Sequence, residues 1–127
     1  MADGLIPDDI KQFILQYIDS IAQWEALLIL RNDPDRLWTI EDLAARLYTT
    51  PQETARLIER LMAGGFLQLS QSNPPQYQYN YIEPLDVMVG RMAELYKQYL
   101  IPITHLIHSK SKSRIQAFAD AFRLRKD

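Results

Sequence analysis

Two side chains that can pair with base edges, Gln52 and Arg56, lie four residues apart in the segment TPQETARLIERLMAGGFLQLS, residues 50–70. In a helix, this spacing places both side chains on one face. An arginine can form two hydrogen bonds with guanine, and a glutamine can form two with adenine. If the segment is helical, this face therefore has the chemistry to read DNA in the major groove.

Carboxylates on the same helix favour a second interpretation. Glu53 and Glu59 lie on or beside this face. They would repel phosphates, although a carboxylate can accept a hydrogen bond from a cytosine amino group. The alternative is a solvated helix face on which Glu53 serves as a helix cap and Glu59 pairs with nearby arginines. The residues alone leave both interpretations open.

The stretch after this helix, LQLSQSNPPQYQYNY, contains no basic residue. Polar side chains such as Gln71 and Asn73 can donate hydrogen bonds to phosphates, but without counterion release each contact adds little affinity. Tyr77, Tyr79 and Tyr81 alternate along its second half, which predicts a strand whose tyrosines form the core and rim of a small sheet. The alternative is a partner-binding face.

Other chemistries find little support in the sequence. There is no cysteine, and the four glycines form no phosphate-binding loop. Glu41 and Asp42 are adjacent at a predicted helix start and would point to different sides. His105 and His108 could share a helix face, but zinc needs three or four ligands, so we expect a surface pair. We therefore expect no enzyme, no metal and no cofactor.

Local signals predict the elements that must position these residues. Thr50 is a good N-cap, Pro51 suits the first helical position, Glu53 completes a capping box, and two glycines end the helix. Its predicted buried stripe is Thr54, Leu57, Ile58, Leu61 and Met62. Upstream, helices are predicted after Pro7, from Ser20 and from Thr39, with a turn at residues 32–36 and an extended Leu37–Trp38 pair.

A long amphipathic helix is predicted to begin at Pro84 and to be broken or kinked by Pro102. Its polar side comprises Asp86, Arg91, Glu94, Lys97 and Gln98, and its apolar side Leu85, Met88, Val89, Met92, Leu95, Tyr96 and Tyr99. After the polar joint SKSKS, a last short helix would carry Ile115, Phe118, Ala119 and Phe122 on one face.

The predicted order of elements over residues 20–81, with the motif WTIEDLAARLYTTPQETARLIERLMAGGFLQL, resembles the winged-helix bacterial transcription regulators of MarR-like type. The resemblance covers about half the chain and implies a mainly α fold with a small β wing. Residues 20–82 would form the winged helix, residues 1–19 an N-terminal flanking helix and residues 83–127 a C-terminal helical extension.

The resemblance implies a transcription regulator that binds double-stranded DNA. The candidate DNA contacts are Thr50, Gln52, Thr54, Arg56, Arg60, Gln71 and Asn73. The alternative is a winged-helix module for protein–protein contact, with little or no DNA binding.

Apolar stripes on three flanking helices predict a homodimer, because a winged-helix core of about 60 residues has little surface on which to hide them. The candidate interface residues are Leu85, Val89, Met92, Tyr96, Tyr99, Ile115, Phe118 and Phe122. The alternative is that the terminal helices fold back and close one larger core in a single chain.

Composition is consistent with one globular domain. The chain has 127 residues, 47% apolar content and a net charge of −2. The charge is −3 in residues 1–19, −2 in residues 20–82 and +3 in residues 83–127, so the basic charge lies outside the predicted winged helix. No signal peptide and no apolar run of about 20 residues is visible, which predicts a soluble cytoplasmic protein.

Overall fold

The computed structural model describes residues 2–110, with side chains from residue 4 onward. This part of the chain contains six α-helices and one two-stranded antiparallel sheet, after a single turn of 3-10 helix at Ala2–Leu5. In chain order the elements are α1 Asp8–Tyr17, α2 Ile21–Asn32, α3 Ile40–Leu47, α4 Pro51–Ala63, β1 Leu67–Ser70, β2 Gln76–Tyr79, α5 Glu83–Gln98 and α6, described over residues 100–110. The predicted fold class, mainly α with a small β wing, is confirmed.

Three helices begin at side-chain hydroxyl caps, as predicted. The hydroxyls of Ser20, Thr39 and Thr50 each accept a hydrogen bond from the backbone N–H three residues later, at 3.0–3.1 Å. Each bond satisfies one of the N–H groups that a helix start leaves without a partner. At the other end of α4, Gly65 has φ +85°, a conformation that glycine adopts readily, and the chain turns there into β1.

One hydrophobic core joins the winged helix to the terminal helices. Ile10 and Ile14 of α1, and Ile103 and Ile107 of α6, are completely buried in the same cluster as Trp24 of α2. In the described residues the terminal helices therefore close the core of their own chain, which is the arrangement expected from the alternative to the dimer.

No single helix in residues 2–110 is long and apolar enough to span a membrane. The pair α1 and α2 reaches the required apolar length only when combined, and the two helices meet at 101°.

The hairpin β1–β2 forms the wing. Its register pairs Leu67 with Tyr79 and Leu69 with Tyr77. Trp38 adds a third extended segment, because its N–H and C=O exchange hydrogen bonds of 2.8 and 2.7 Å with Tyr77. Tyr79 is buried and Tyr77 half-buried, as predicted for core and rim. Tyr81 lies beyond the end of β2 and is 65% exposed. The prediction that it belongs to the same strand as Tyr77 and Tyr79 is therefore wrong.

The predicted break in the long C-terminal helix lies at another residue. The chain leaves helical geometry at Tyr99, with φ −126° and ψ 54°, and α6 begins at the next residue. Pro102 therefore lies in the first turn of α6, where a residue without an N–H is tolerated because that turn has no intrahelical acceptor for it.

Candidate nucleic-acid interface

Helix α4 is held in the domain by its inner face. Thr54 and Leu61 are completely buried and Ile58 nearly so, while Leu57 and Met62 are half-buried, so the predicted stripe is confirmed. The Thr54 hydroxyl donates a 2.9 Å hydrogen bond to the carbonyl of Thr50. Thr54 therefore cannot contact DNA in this structure, and its inclusion among the candidate contacts is wrong; Thr50 itself is exposed.

The outer face of α4 is open to solvent. Gln52 and Arg56 are both exposed on it, as the spacing predicts. The Arg56 side chain, 75% exposed, lies 3.4 Å from the Glu53 carboxylate, which is itself 57% exposed. An ion pair this exposed is worth little, so the guanidinium can leave it to meet a phosphate or a base at small cost.

Glu59 is exposed on the same face, and within residues 4–110 its carboxylate makes no ion pair. The expectation that nearby arginines neutralise it is therefore wrong for the described part of the chain. The face keeps an uncompensated negative charge next to Arg56.

Arg60 links α4 to neighbouring helices through an ion pair. Its guanidinium forms an ion pair with Asp19 at the junction of α1 and α2. The ammonium of Lys110, at the described end of α6, lies 2.8 Å from the same carboxylate and donates to the carbonyls of Ile14 and Ile18. This cluster joins α4 to α1 and α6, so Arg60 holds the helix on its flank. No local sequence pattern could have found it, since the three charged residues lie far apart in the chain.

The turn between α3 and α4 contains a residue that the sequence reasoning missed. Tyr48 has φ 57° and ψ 43°, the left-handed conformation, and it is 94% exposed. Turns between paired helices often contain glycine at this point. A tyrosine in the place of that glycine was the available signal.

The tip of the wing is exposed and uncharged. Gln71 and Asn73 are exposed there, as expected for groups that could donate to phosphates. Exposed basic side chains occur outside the hairpin: Arg36, whose guanidinium lies 3.6 Å from the centre of the Trp38 ring, and Arg46 on α3. Neither arginine was predicted as a contact. They carry positive charge of a kind that the hairpin itself lacks.

The wing is tied to the body of the domain by Asp86. Its Oδ1 accepts from Arg31 Nε at 2.9 Å and from the Tyr79 hydroxyl at 2.6 Å. The expectation that Asp86 lies on the solvent side of its helix is therefore wrong. The hydrogen bond from Arg31 lowers the pKa of Asp86 below its ordinary value, and burial followed by the bond to Asp86 raises the pKa of Tyr79.

Several candidate dimer residues serve the core of one chain instead. Val89 and Met92 have no exposed surface, so neither can contribute area to an interface in this conformation. Leu85, Tyr96 and Tyr99 are half-buried, and the Tyr96 hydroxyl donates to Glu25 at 2.8 Å. Ile115, Phe118 and Phe122 lie outside the described residues.

Two large apolar side chains remain open on α6: Leu100 is 51% exposed and Ile101 is 69% exposed. His105 and His108 on the same helix are exposed, as predicted for a surface pair. In the part of the chain that the structure describes, no group of three or more potential metal ligands comes together.

No protein-family model and no curated protein sequence matches the chain. Solved structures do match its fold. One is Sco5413, a MarR-family transcriptional regulator from Streptomyces coelicolor, at 15% identity and TM-score 0.58 over 98% of this chain and 85% of that one. Another is the transcriptional regulator Tm0710 from Thermotoga maritima, at 14% identity and TM-score 0.54 over 90% and 80%. A third is the adhesin competence repressor AdcR from Streptococcus pyogenes, at 14% identity and TM-score 0.53 over 87% and 82%. The chain therefore shares the fold of these regulators, and its two-stranded wing matches the winged-helix fold of the MarR-family member among them.

Proposed function

We propose that this protein is a DNA-binding transcription regulator that acts in the cytoplasm, and that it is not an enzyme. The observation that carries the proposal is the open face of α4. Gln52 and Arg56 are exposed side by side on a helix whose opposite face is locked into the core. A helix presented in this way, with a hairpin beside it, can enter the major groove while the wing lies along the backbone.

The residue types and charges suggest how such binding would work. Arg56 and Gln52 would pair with base edges, Thr50 would meet the backbone near the start of α4, and Gln71 and Asn73 would donate to phosphates from the wing. Exposed carboxylates on α4 offset much of the positive charge of its arginines, so contacts with DNA phosphates should contribute little to the affinity. Base contacts would then contribute a larger share of the affinity than they do in a strongly basic domain.

Charge substitutions on the α4 face test the proposal. Glu59→Lys should tighten binding to a random-sequence duplex at low salt and steepen its salt dependence, because it removes a repulsive charge and adds an attractive one. Arg56→Ala should weaken binding by about 1–3 kcal/mol, the size of one good base contact. Fluorescence anisotropy with a labelled duplex measures both.

Glu94→Lys is the matched control, since Glu94 is an exposed residue of α5 and the substitution changes the net charge by the same amount. It should have the smaller effect. Equal effects of the two lysine variants, or unchanged binding by Arg56→Ala, would show that the α4 face does not meet DNA. The protein-interaction alternative would then stand.

We further propose that two copies associate through the exposed side of α6, where Leu100 and Ile101 are open. The candidate interface residues Ile115, Phe118 and Phe122 belong to the same proposal and lie outside the described residues. A two-fold dimer would place two α4 helices about one turn of DNA apart, near 34 Å, to meet two half-sites.

Equilibrium sedimentation at micromolar concentration tests the association. The expected mass is that of a dimer, and Ile101→Glu should reduce it to a monomer, because a charge buried at an interface without a partner is costly. Met92→Glu cannot serve here, since Met92 is in the core of its own chain. A monomer mass for the unsubstituted protein would overturn the dimer.

A further inference from the structure

Tyr48 combines two features that are each unfavourable to the isolated domain. Its backbone is in the left-handed conformation, with φ 57° and ψ 43°, in which the Cβ of an ordinary residue is crowded. It is also 94% exposed, so its ring is almost entirely in water. Glycine or asparagine would close the same turn with less strain.

Nothing in the described part of the chain compensates for these features. At the end of α3, the backbone N–H groups of Tyr48 and Thr49 donate hydrogen bonds to the carbonyls of Ala45 and Ala44, at 3.3 and 3.0 Å. Any residue other than proline could donate these bonds. Among residues 4–110 no hydrogen bond and no ring contact involves the Tyr48 side chain. An exposed residue in an uncommon conformation is a reason to look for a contact outside the chain.

The position of Tyr48 points to the kind of contact. It lies two residues before Thr50, the N-cap of α4, and residues 48–52 are all exposed and uncharged. This stretch carries three hydroxyls and the Gln52 amide, which can donate to phosphates, whereas the carboxylates Glu53 and Glu59 begin further along the helix. The turn and the start of α4 therefore form an exposed stretch of polar side chains that carries no carboxylate of its own.

We infer that the Tyr48 hydroxyl donates a hydrogen bond to a phosphate of the DNA backbone when α4 is in the groove. This inference rests on the proposed function and adds a contact at the same site. The partner chemistry is a phosphodiester oxygen, for which a phenol is a suitable donor. Because the phenol is neutral, the contact adds affinity without releasing a counterion.

Two substitutions of Tyr48 test the inference by anisotropy titration of a labelled duplex over a range of salt. Tyr48→Phe keeps the ring and the backbone conformation and removes only the donor. It should raise Kd about 3–10-fold, the effect of losing one ordinary hydrogen bond, and leave the slope of log Kd against log salt unchanged. Tyr48→Gly should weaken binding at least as much.

Thermal unfolding separates a binding role from a structural one. Tyr48→Gly relieves the left-handed strain and should raise Tm by about 2–5 °C even as it weakens DNA binding. Tyr48→Phe should leave Tm unchanged, since the hydroxyl has no partner among the described residues. The matched control is Tyr81→Phe, which removes a hydroxyl from another exposed tyrosine and should bind DNA like the unsubstituted protein.

The outcomes distinguish this inference from the function on which it rests. Binding by both Tyr48 variants that equals that of the unsubstituted protein overturns the phosphate contact and leaves the proposed function standing. An equal loss in Tyr81→Phe also overturns it, because the effect would not belong to the turn. If the unsubstituted protein binds no duplex at low salt, both are overturned.

Discussion

At the scale of single residues, Asp86 ties the wing to the body of the domain. Asp86 accepts from both Arg31 and Tyr79 through one carboxylate oxygen. Its position could not be predicted, because helical spacing assigns Asp86 to the solvent side of α5. The long-range partners Arg31 and Tyr79 decide the orientation instead.

The Asp86 contacts predict a pH dependence of stability. The pKa of Asp86 is lowered in the folded protein, so the ionised form stabilises the fold above its unfolded pKa of about 3.9. This contribution is lost as pH falls through the lower, folded pKa. Asp86→Asn should therefore reduce the free energy of unfolding by about 1–2 kcal/mol at pH 7. The difference from the unsubstituted protein should shrink as pH falls below about 4.

Urea unfolding at several pH values measures this effect. The matched control is Glu94→Gln, because Glu94 pairs with Lys97 on the exposed side of the same helix and such a pair contributes little. It should change stability by less than about 0.5 kcal/mol at pH 7. A loss in Asp86→Asn that is the same at pH 7 and pH 3 would contradict the ionic origin of the effect.

At the scale of elements, local signals predicted where helices begin but not what holds them together. The caps at Ser20, Thr39 and Thr50 depend on contacts within three residues, so the sequence alone reveals them. The break at Tyr99 was missed because Pro102 is the stronger sequence signal, yet proline is compatible with the first turn of the next helix. The cluster of Arg60, Asp19 and Lys110 depends on tertiary packing, which no periodicity encodes.

That cluster predicts that Arg60 affects DNA binding by orienting α4 and not by touching DNA. Arg60→Ala and Asp19→Asn should then weaken duplex binding by similar factors, about 3–10-fold, and the double variant should lose no more than either alone. The slope of log Kd against log salt should be unchanged in all three, because no phosphate contact is lost.

The opposite role for Arg60 would give a different pattern in the same titrations. If its guanidinium binds a phosphate, Arg60→Ala reduces the salt slope by about 0.9. Asp19→Asn would then bind DNA as well as the unsubstituted protein, or better, since it removes a carboxylate that competes for the guanidinium.

At the scale of the whole molecule, the hydrophobic pattern accounts for the fold, and the polar residues of the open α4 face account for the proposed function. The apolar stripes and turn residues predicted the order of the elements, because each element needs one buried face. The winged helix itself was implied by the resemblance of that order to a known family. They did not predict what buries the apolar faces of α1 and α6, since an apolar stripe can pack within its own chain or against a second copy. Arg56 and Gln52 were placed correctly on the open face of α4. Thr54 was placed correctly in the buried stripe, and that burial rules out its further assignment as a DNA contact.

The central claim is that the open face of α4 binds DNA, and a salt titration of the unsubstituted protein against a labelled random-sequence duplex tests it most directly. Exposed basic side chains are few in the described winged helix: Arg36 before α3, Arg46 on α3 and Arg56 on α4, with Arg60 paired to Asp19. We therefore predict measurable binding at about 50 mM salt. The logarithm of the association constant should fall with the logarithm of salt concentration with a shallow slope, about −1 to −3 per protomer. No anisotropy change at low salt with tens of micromolar protein would contradict the claim.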